Sequence, residues 1–195
     1  MAQGDVGIYA SQISGHLSAP AFQGDYWSLA TATLSSAASS ITFTGIPQNY
    51  THLQLRGIAR STNASTADQA QLQMNGDTST ASYTFHQVAG DGASVSYEGY
   101  GTGVIAGVTP VIRFTGGNAT SGTFGVTVID ILDYTDKSKY KTVRALTGYD
   151  LNGSGNIKLV SGVRISVDAI NSLSITIQAG GNFAAGSSLA LYGIK

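Results

Sequence analysis

Apolar side chains recur at every second position along most of this chain, in short runs that stop at Gly, Ser, Asn or Pro, and no window of a dozen residues sustains a helical repeat. A two-residue period sends successive side chains to opposite faces of a strand, whereas a buried helix face needs a period of 3.6. The pattern therefore predicts an all-β body. The charge content points the same way. Ten basic and eleven acidic residues stand among 195, and Glu98 is the only glutamate, so the chain lacks the Glu, Lys and Arg that ordinarily build solvated helix faces and hold neighbours apart. Its surface must be made from Ser, Thr, Asn, Gln, Gly and Tyr, which reads as an assembly component before it reads as an enzyme.

The strands can be followed in order. Trp27, Leu29, Thr31 and Thr33 alternate with Tyr26, Ser28, Ala30 and Ala32, and Ile41 and Phe43 follow a Ser-rich turn. From His52 to Arg60, the residues Leu53, Leu55, Gly57 and Ala59 share one face and His52, Gln54, Arg56, Ile58 and Arg60 the other, the signature of a half-buried antiparallel strand. Ala70, Leu72 and Met74 lead into Asn75-Gly76, a dipeptide suited to a tight hairpin turn, with Tyr83, Phe85 and Val88 as the expected return strand. Gly90 to Gly103 reads as a long Gly/Ser/Tyr connection holding a short edge strand, and Pro110 places the next strand at an edge or a bulge. Between Thr123 and Asp150 the apolar residues fall on both faces, with Phe124, Val126 and Val128 on one and Ile129 and Ile131 on the other, as in a strand covered on both sides. Tyr140 to Tyr149 alternates again. After the Asn152-Gly153-Ser154-Gly155 turn come Ile157 to Val160 with Val163 to Val167, then Leu173 to Ile177 and Leu189 to Ile194. The reading is an antiparallel β-sandwich of jelly-roll or Greek-key type with eight to eleven strands.

At 20.0 kDa the chain can bury one core, so residues 26–195 are expected to form a single domain. Residues 1–25 differ: Ile8, Tyr9, Ile13, Leu17 and Phe22 are scattered among glycines with no period. They read as an irregular N-terminal arm whose apolar side chains are assembly contacts on a neighbouring subunit.

Several functions are disfavoured. Basic residues do not cluster beyond the Lys137, Lys139, Lys141 alternation, which leaves no electrostatic footprint for nucleic acid. No apolar stretch reaches a membrane span, and no signal-like leader precedes the strands, so a soluble protein made in the cytoplasm is expected. Cysteine is absent, and thiolate metal sites with it. Of the histidines His16, His52 and His86, none sits in a nucleophile motif, and no Gly-x-Ser-x-Gly elbow occurs. Asp150, Asn152, Ser154 and Asn156 space oxygen ligands as a calcium loop does, but no closing glutamate follows and a hairpin turn accounts for them. Asp130, Asp133 and Asp136 are read as neutralising Lys137, Lys139, Lys141 or Arg144. No catalytic residue, metal or cofactor is assigned. Tyr97 and Tyr100, in the Gly/Ser-rich connection, offer rigid amphipathic rings for recognition or for edge packing.

Four stretches carry a resemblance: FTGIPQNYTHLQLRGIARS from Phe43, Leu72 to Tyr83 around the Asn-Gly-Asp turn, IDILDYTDKSKYKTVRALTGYDLNGSGNIKLVSG from Ile129, and the terminal SLALYGIK. In these the chain resembles a group of small virion proteins of tailed bacteriophages, common among phages of cyanobacteria and other aquatic bacteria. The likeness covers most of Tyr26 to Lys195, and Tyr9 to Leu17 is similar to the arm with which members often begin. Its motifs are structural, so it brings no active site. The resemblance implies a virion structural protein, either a trimeric capsid decoration (cement) protein clamped to the major capsid protein, or a tail- or fibre-associated module that binds host glycan.

Overall fold

The structure, a computed structural model, describes residues 25–103 and 107–195. They form twelve strands: β1 (Tyr26–Thr33), β2 (Ser40–Phe43), β3 (His52–Ala59), β4 (Ala67–Met74), β5 (Tyr83–Gly90), β6 (Val95–Tyr100), β7 (Val108–Thr115), β8 (Gly125–Leu132), β9 (Lys141–Asp150), β10 (Gly155–Arg164), β11 (Leu173–Ile177) and β12 (Ser188–Ile194). The large sheet runs β1-β12-β3-β8-β9-β10-β5-β6 and the small one β2-β11-β4-β7, every neighbouring pair antiparallel. The expected all-β antiparallel sandwich is therefore the architecture, with one strand more than the upper expectation. The Pro110 strand is β7, at the edge of the small sheet, where the register of its pairing with β4 shifts between Ala70 and Leu72.

The core fills the space between the sheets. Leu53 and Leu55 of β3, Ile129 and Ile131 of β8 and Val143 of β9 point inward from the large sheet. Leu72 and Met74 of β4, Ile112 and Phe114 of β7, and Leu173 and Ile175 of β11 meet them from the small one. Each fully buried side chain of this size contributes roughly 1.5–3 kcal/mol. Phe114 extends the layer to Phe183 with ring centroids 5.7 Å apart.

Two local expectations are corrected. Asn75 and Gly76 do take positive φ, 56° and 67°, yet no hairpin follows, because β4 pairs with β11 and β7 while β5 lies in the other sheet between β10 and β6. The Asn75 amide donates to the Ala169 carbonyl at 2.8 Å and its oxygen accepts from the Asn171 N–H at 2.8 Å. That clamps the turn to the β10–β11 connection, and the chain crosses to the large sheet behind Tyr83, whose buried hydroxyl accepts from the Met74 N–H and donates to the Asp77 carbonyl. The second correction concerns 157–167. Ser161 and Gly162 keep their register opposite Arg144 and Val143, so β10 runs unbroken as one strand, but it spans Gly155–Arg164 and stops short of the expected end at Val167.

Polar side chains fasten the loops. The Arg60 guanidinium donates to the carbonyls of Gly117, Ala119, Thr120 and Thr123 at 2.7–3.1 Å, fixing the β7–β8 loop. Lys141 is fully buried, its ammonium donating to the carbonyls of Asp136, Lys139 and Val167.

Candidate functional site

The two outer faces of the sandwich are chemically opposite. Across β2, β11 and β4 of the small sheet the paired side chains turned away from the core are hydroxyls and amides. Thr42, Ser174 and Gln73 lie in one cross-strand row and Ser40, Thr176 and Gln71 in the next, with Thr42 and Ser174 hydrogen-bonded at 3.1 Å. This is the solvated face that an antiparallel sheet ordinarily carries.

The large sheet does the reverse. Strand register places Ile58, Val126, Gly148, Ile157, Gly90 and Val95 in one row across β3, β8, β9, β10, β5 and β6. The next row along the strands is Arg56, Val128, Leu146, Leu159, Val88 and Tyr97. Apart from the two glycines and Arg56, all are apolar or aromatic, with exposures from 37% at Val128 to 91% at Tyr97. The expectation that 123–150 is covered on both sides is corrected here. Apolar residues on both faces of 123–150 imply cover on both sides, yet within one chain the core-facing side alone is covered, and Val126, Val128 and Leu146 stand bare.

Glycines shape this face into ridges and grooves. A Cβ on Gly148 would lie 2.4 Å from the Asn156 carbonyl oxygen, so β9 and β10 approach there as no side chain would allow. The resulting groove, about 460 Å³, has Gly148 on its floor and Phe124, Val126, Tyr149 and Ile157 along its walls. Shallower hollows continue across Leu146 and Leu159 toward Val88 and Val95. At Gly90 a Cβ would meet only ordinary contacts, 3.8 Å from the Ser94 carbonyl oxygen and 4.0 Å from Ile157 Cγ2.

A polar row closes one side: Gln54, Asp130, Arg144, Ser161, His86 and Gly99. Burial would raise the Asp130 pKa, but hydrogen bonds from Gln54 at 2.6 Å and Arg144 at 2.8 Å outweigh it and hold the carboxyl below its usual range. Arg56 donates to the Gln54 side-chain oxygen and stacks on the rings of Tyr26 and Tyr192, 5.4 and 5.6 Å from their centroids. The His86 ring lies on Gly99.

No family model matches the chain, and no curated protein matches it. Among solved structures, the chain is similar to the carbohydrate-binding module CBM40 of Ruminococcus gnavus IT-sialidase bound to α2,6-sialyllactose, at a TM-score of 0.36 and 10% identity over 85% of this chain and 92% of that one. It is similar also to the Caenorhabditis elegans galectin LEC-6, at a TM-score of 0.29 and 7% identity over 88% of this chain and 96% of that one.

The residues singled out from sequence are distributed as follows. Ile8, Tyr9, Ile13, Leu17 and Phe22, and His16 with them, lie outside the described residues. Tyr97 projects from the edge strand β6 on the apolar face, while the Tyr100 ring points to the other side and packs on Phe85 at 5.4 Å. Asp130 pairs with Arg144, and Asp133 and Asp136 both pair with Lys139, at 2.8, 2.8 and 3.3 Å. The Ser138 hydroxyl and N–H, with Lys139, pull the Asp136 pKa down to about 2. Lys141, grouped with these cations in the sequence reading, instead faces the three loop carbonyls, and burial lowers its pKa. Asp150 accepts from the Asn152 N–H at 2.7 Å inside the β9–β10 turn, where Asn152 and Gly153 have φ of 58° and 113°. His52 Nδ1 accepts from the Asp133 N–H at 3.0 Å. Among the described residues no group of three His, Cys, Asp or Glu side chains is placed to hold a metal ion. The apolar outer face is what the sequence reading missed, although the doubled hydrophobicity of 123–150 was its signal.

Proposed function

We propose that this protein is a structural subunit of a phage particle, a capsid decoration (cement) protein that works by burying the outer face of its large sheet against neighbouring protein. The observation that supports an assembly role is the contrast between the two outer faces. One chain builds a hydroxyl-and-amide surface on one sheet and leaves aliphatic rows bare on the other. Monomers rarely expose contiguous apolar patches larger than a few hundred Å²; here nine apolar or aromatic side chains on six neighbouring strands are each at least 37% exposed. The virion itself enters through the sequence resemblance, and with it the major capsid protein as attachment partner and a homo-oligomer, expected as a trimer.

Mechanically, such a subunit clamps by area. Each half-exposed Leu or Ile that becomes buried adds about 1 kcal/mol, and symmetry repeats the increment around a shell. The arm residues Ile8, Tyr9, Ile13, Leu17 and Phe22 are proposed as further contacts. The test is to count copies per purified particle by quantitative mass spectrometry, for the intact chain and for L146D and L159K. Hundreds of copies for the intact chain, and loss of both variants from particles, are the expected result. Incorporation of L146D and L159K at the intact level would refute the assembly role of the face.

A second reading, a tail- or fibre-associated module that binds host glycan, is favoured by Tyr97, a ring bare on both sides of a sheet edge and of the kind that stacks on sugars. It predicts a dozen copies or fewer per particle, and Tyr97→Ala particles that assemble normally but fail to adsorb.

A further inference from the structure

We propose that the partner covering the apolar face is a second copy of this chain, packed face to face about a twofold axis that runs along the strands between β9 and β10. The inference rests on the reading of this face as a protein contact and adds its occupant.

The register carries the argument. An axis at that position exchanges β9 with β10, β8 with β5 and β3 with β6. The second row, from β8 to β5, is Val128, Leu146, Leu159, Val88. Its residue types read the same from either end, so Leu146 meets the second copy's Leu159 and Val128 its Val88, and four leucines gather at the axis. In the first row each glycine falls opposite a branched side chain. Gly148 receives Ile157 of the second copy, and Gly90 receives its Val126. At the rim, Arg56 meets the ring of Tyr97, the arrangement it already makes with Tyr26 and Tyr192. In the polar row Asp130 comes opposite His86, and Arg144 opposite Ser161. Sheets packed this way lie about 10 Å apart, and their twist turns them by about 30°; the axis passes through the middle of the patch, where that rotation displaces the rows least.

Area agrees. The apolar residues of the two rows leave on the order of 900 Å² to water, which matches the roughly 800 Å² per partner of a standard interface. A face made for an unrelated partner has no reason to be complementary to itself. An isologous contact requires it.

The test uses the full chain. Sedimentation equilibrium is expected to give two copies or an even multiple, which agrees with the trimer implied by the resemblance only as six copies, two trimers joined through this face. L159K, which sets lysines at the axis, should fall to half that mass with an unchanged circular dichroism spectrum. Gly90→Leu should do the same without adding charge, since a Cβ at Gly90 meets only ordinary contacts in the single chain, 3.8 Å from the Ser94 carbonyl oxygen and 4.0 Å from Ile157 Cγ2, and Val126 of the second copy lies above it in the pair. The protein has no cysteine, so a V88C/V128C double variant reports the geometry. The two sites are three strand spacings, about 14 Å, apart within one chain but opposed across the axis. A short bismaleimide should therefore link two chains in the double variant and none in either single variant. A monomer, a three-copy particle, or an unlinked double variant would overturn the inference. If the intact chain is a monomer while L159K is still lost from particles, the face remains a protein contact and its occupant is another protein.

Discussion

Lys158 offers the most quantitative check on the interior. It projects inward from β10, is 8% exposed, and has one weak acceptor among the described residues, the Gln87 side-chain oxygen at 3.4 Å. Desolvation, with the Arg113 charge added, lowers its pKa from 10.5 to about 8. Below pH 8 the lysine is protonated in both folded and unfolded chains, and the folded state carries the whole cost of a buried ammonium. Between about 8 and 10.5 the folded lysine is neutral while the unfolded one still holds its proton, so the unfolded state binds more protons and stability rises with pH. Above 10.5 both are neutral. A shift of this size corresponds to about 3 kcal/mol. Replacing Lys158 with Met should therefore stabilise the protein at pH 7 by about 2 kcal/mol, after subtracting about 1 kcal/mol for the lost bond to Gln87. Urea denaturation from pH 7 to 9.5 should show the intact chain gaining stability on the variant's nearly flat line. Tyr83 and Tyr134, whose pKa values burial raises, titrate above that window and are common to both chains. A variant less stable than the intact chain at pH 7, with the same slope, would refute the reasoning.

Other expectations follow from single contacts. Lys141→Met removes the ammonium shared by three loop carbonyls and should cost on the order of 2–4 kcal/mol in urea denaturation, with Lys141→Arg no rescue in so closed a site. Tyr83→Phe leaves the Met74 N–H and the Asp77 carbonyl without the hydroxyl between the sheets, a loss of about 1–3 kcal/mol. Gly148→Ala drives a Cβ against the backbone of β10 and should lower stability by more than about 2 kcal/mol, whereas Gly90→Ala, whose Cβ meets only ordinary van der Waals contacts, should change it by less than about 0.5 kcal/mol.

Strand content was legible because alternation is a local property. β3, β8, β9 and β12 follow from which residues can face a core, and the edge position of β7 follows from the missing donor of Pro110. Sheet membership was not legible. Asn75-Gly76 has the backbone of a hairpin turn, but its partners are Ala169 and Asn171, some 95 positions on, and nothing local reports them. Lys141 shows the same limit, since its charge alone pointed to the aspartates and the loop carbonyls that hold it leave no mark in composition. The candidate face lay between these cases. Val126, Val128 and Leu146 were visible as surplus hydrophobicity, and the surplus implied cover, but the chain does not say whether its own strands or another molecule supply that cover until the sheets are assigned.

The two central rows of the large sheet contain no charged side chain other than Arg56 at their margin. Dissolved ions weaken attraction between charges and have little hold on aliphatic contact. Adhesion through these rows should thus keep its strength over a wide range of salt concentration. Temperature is the variable that acts on it, because apolar association fades on cooling. Chilling, and not a change of salinity, is the condition under which such a contact loosens.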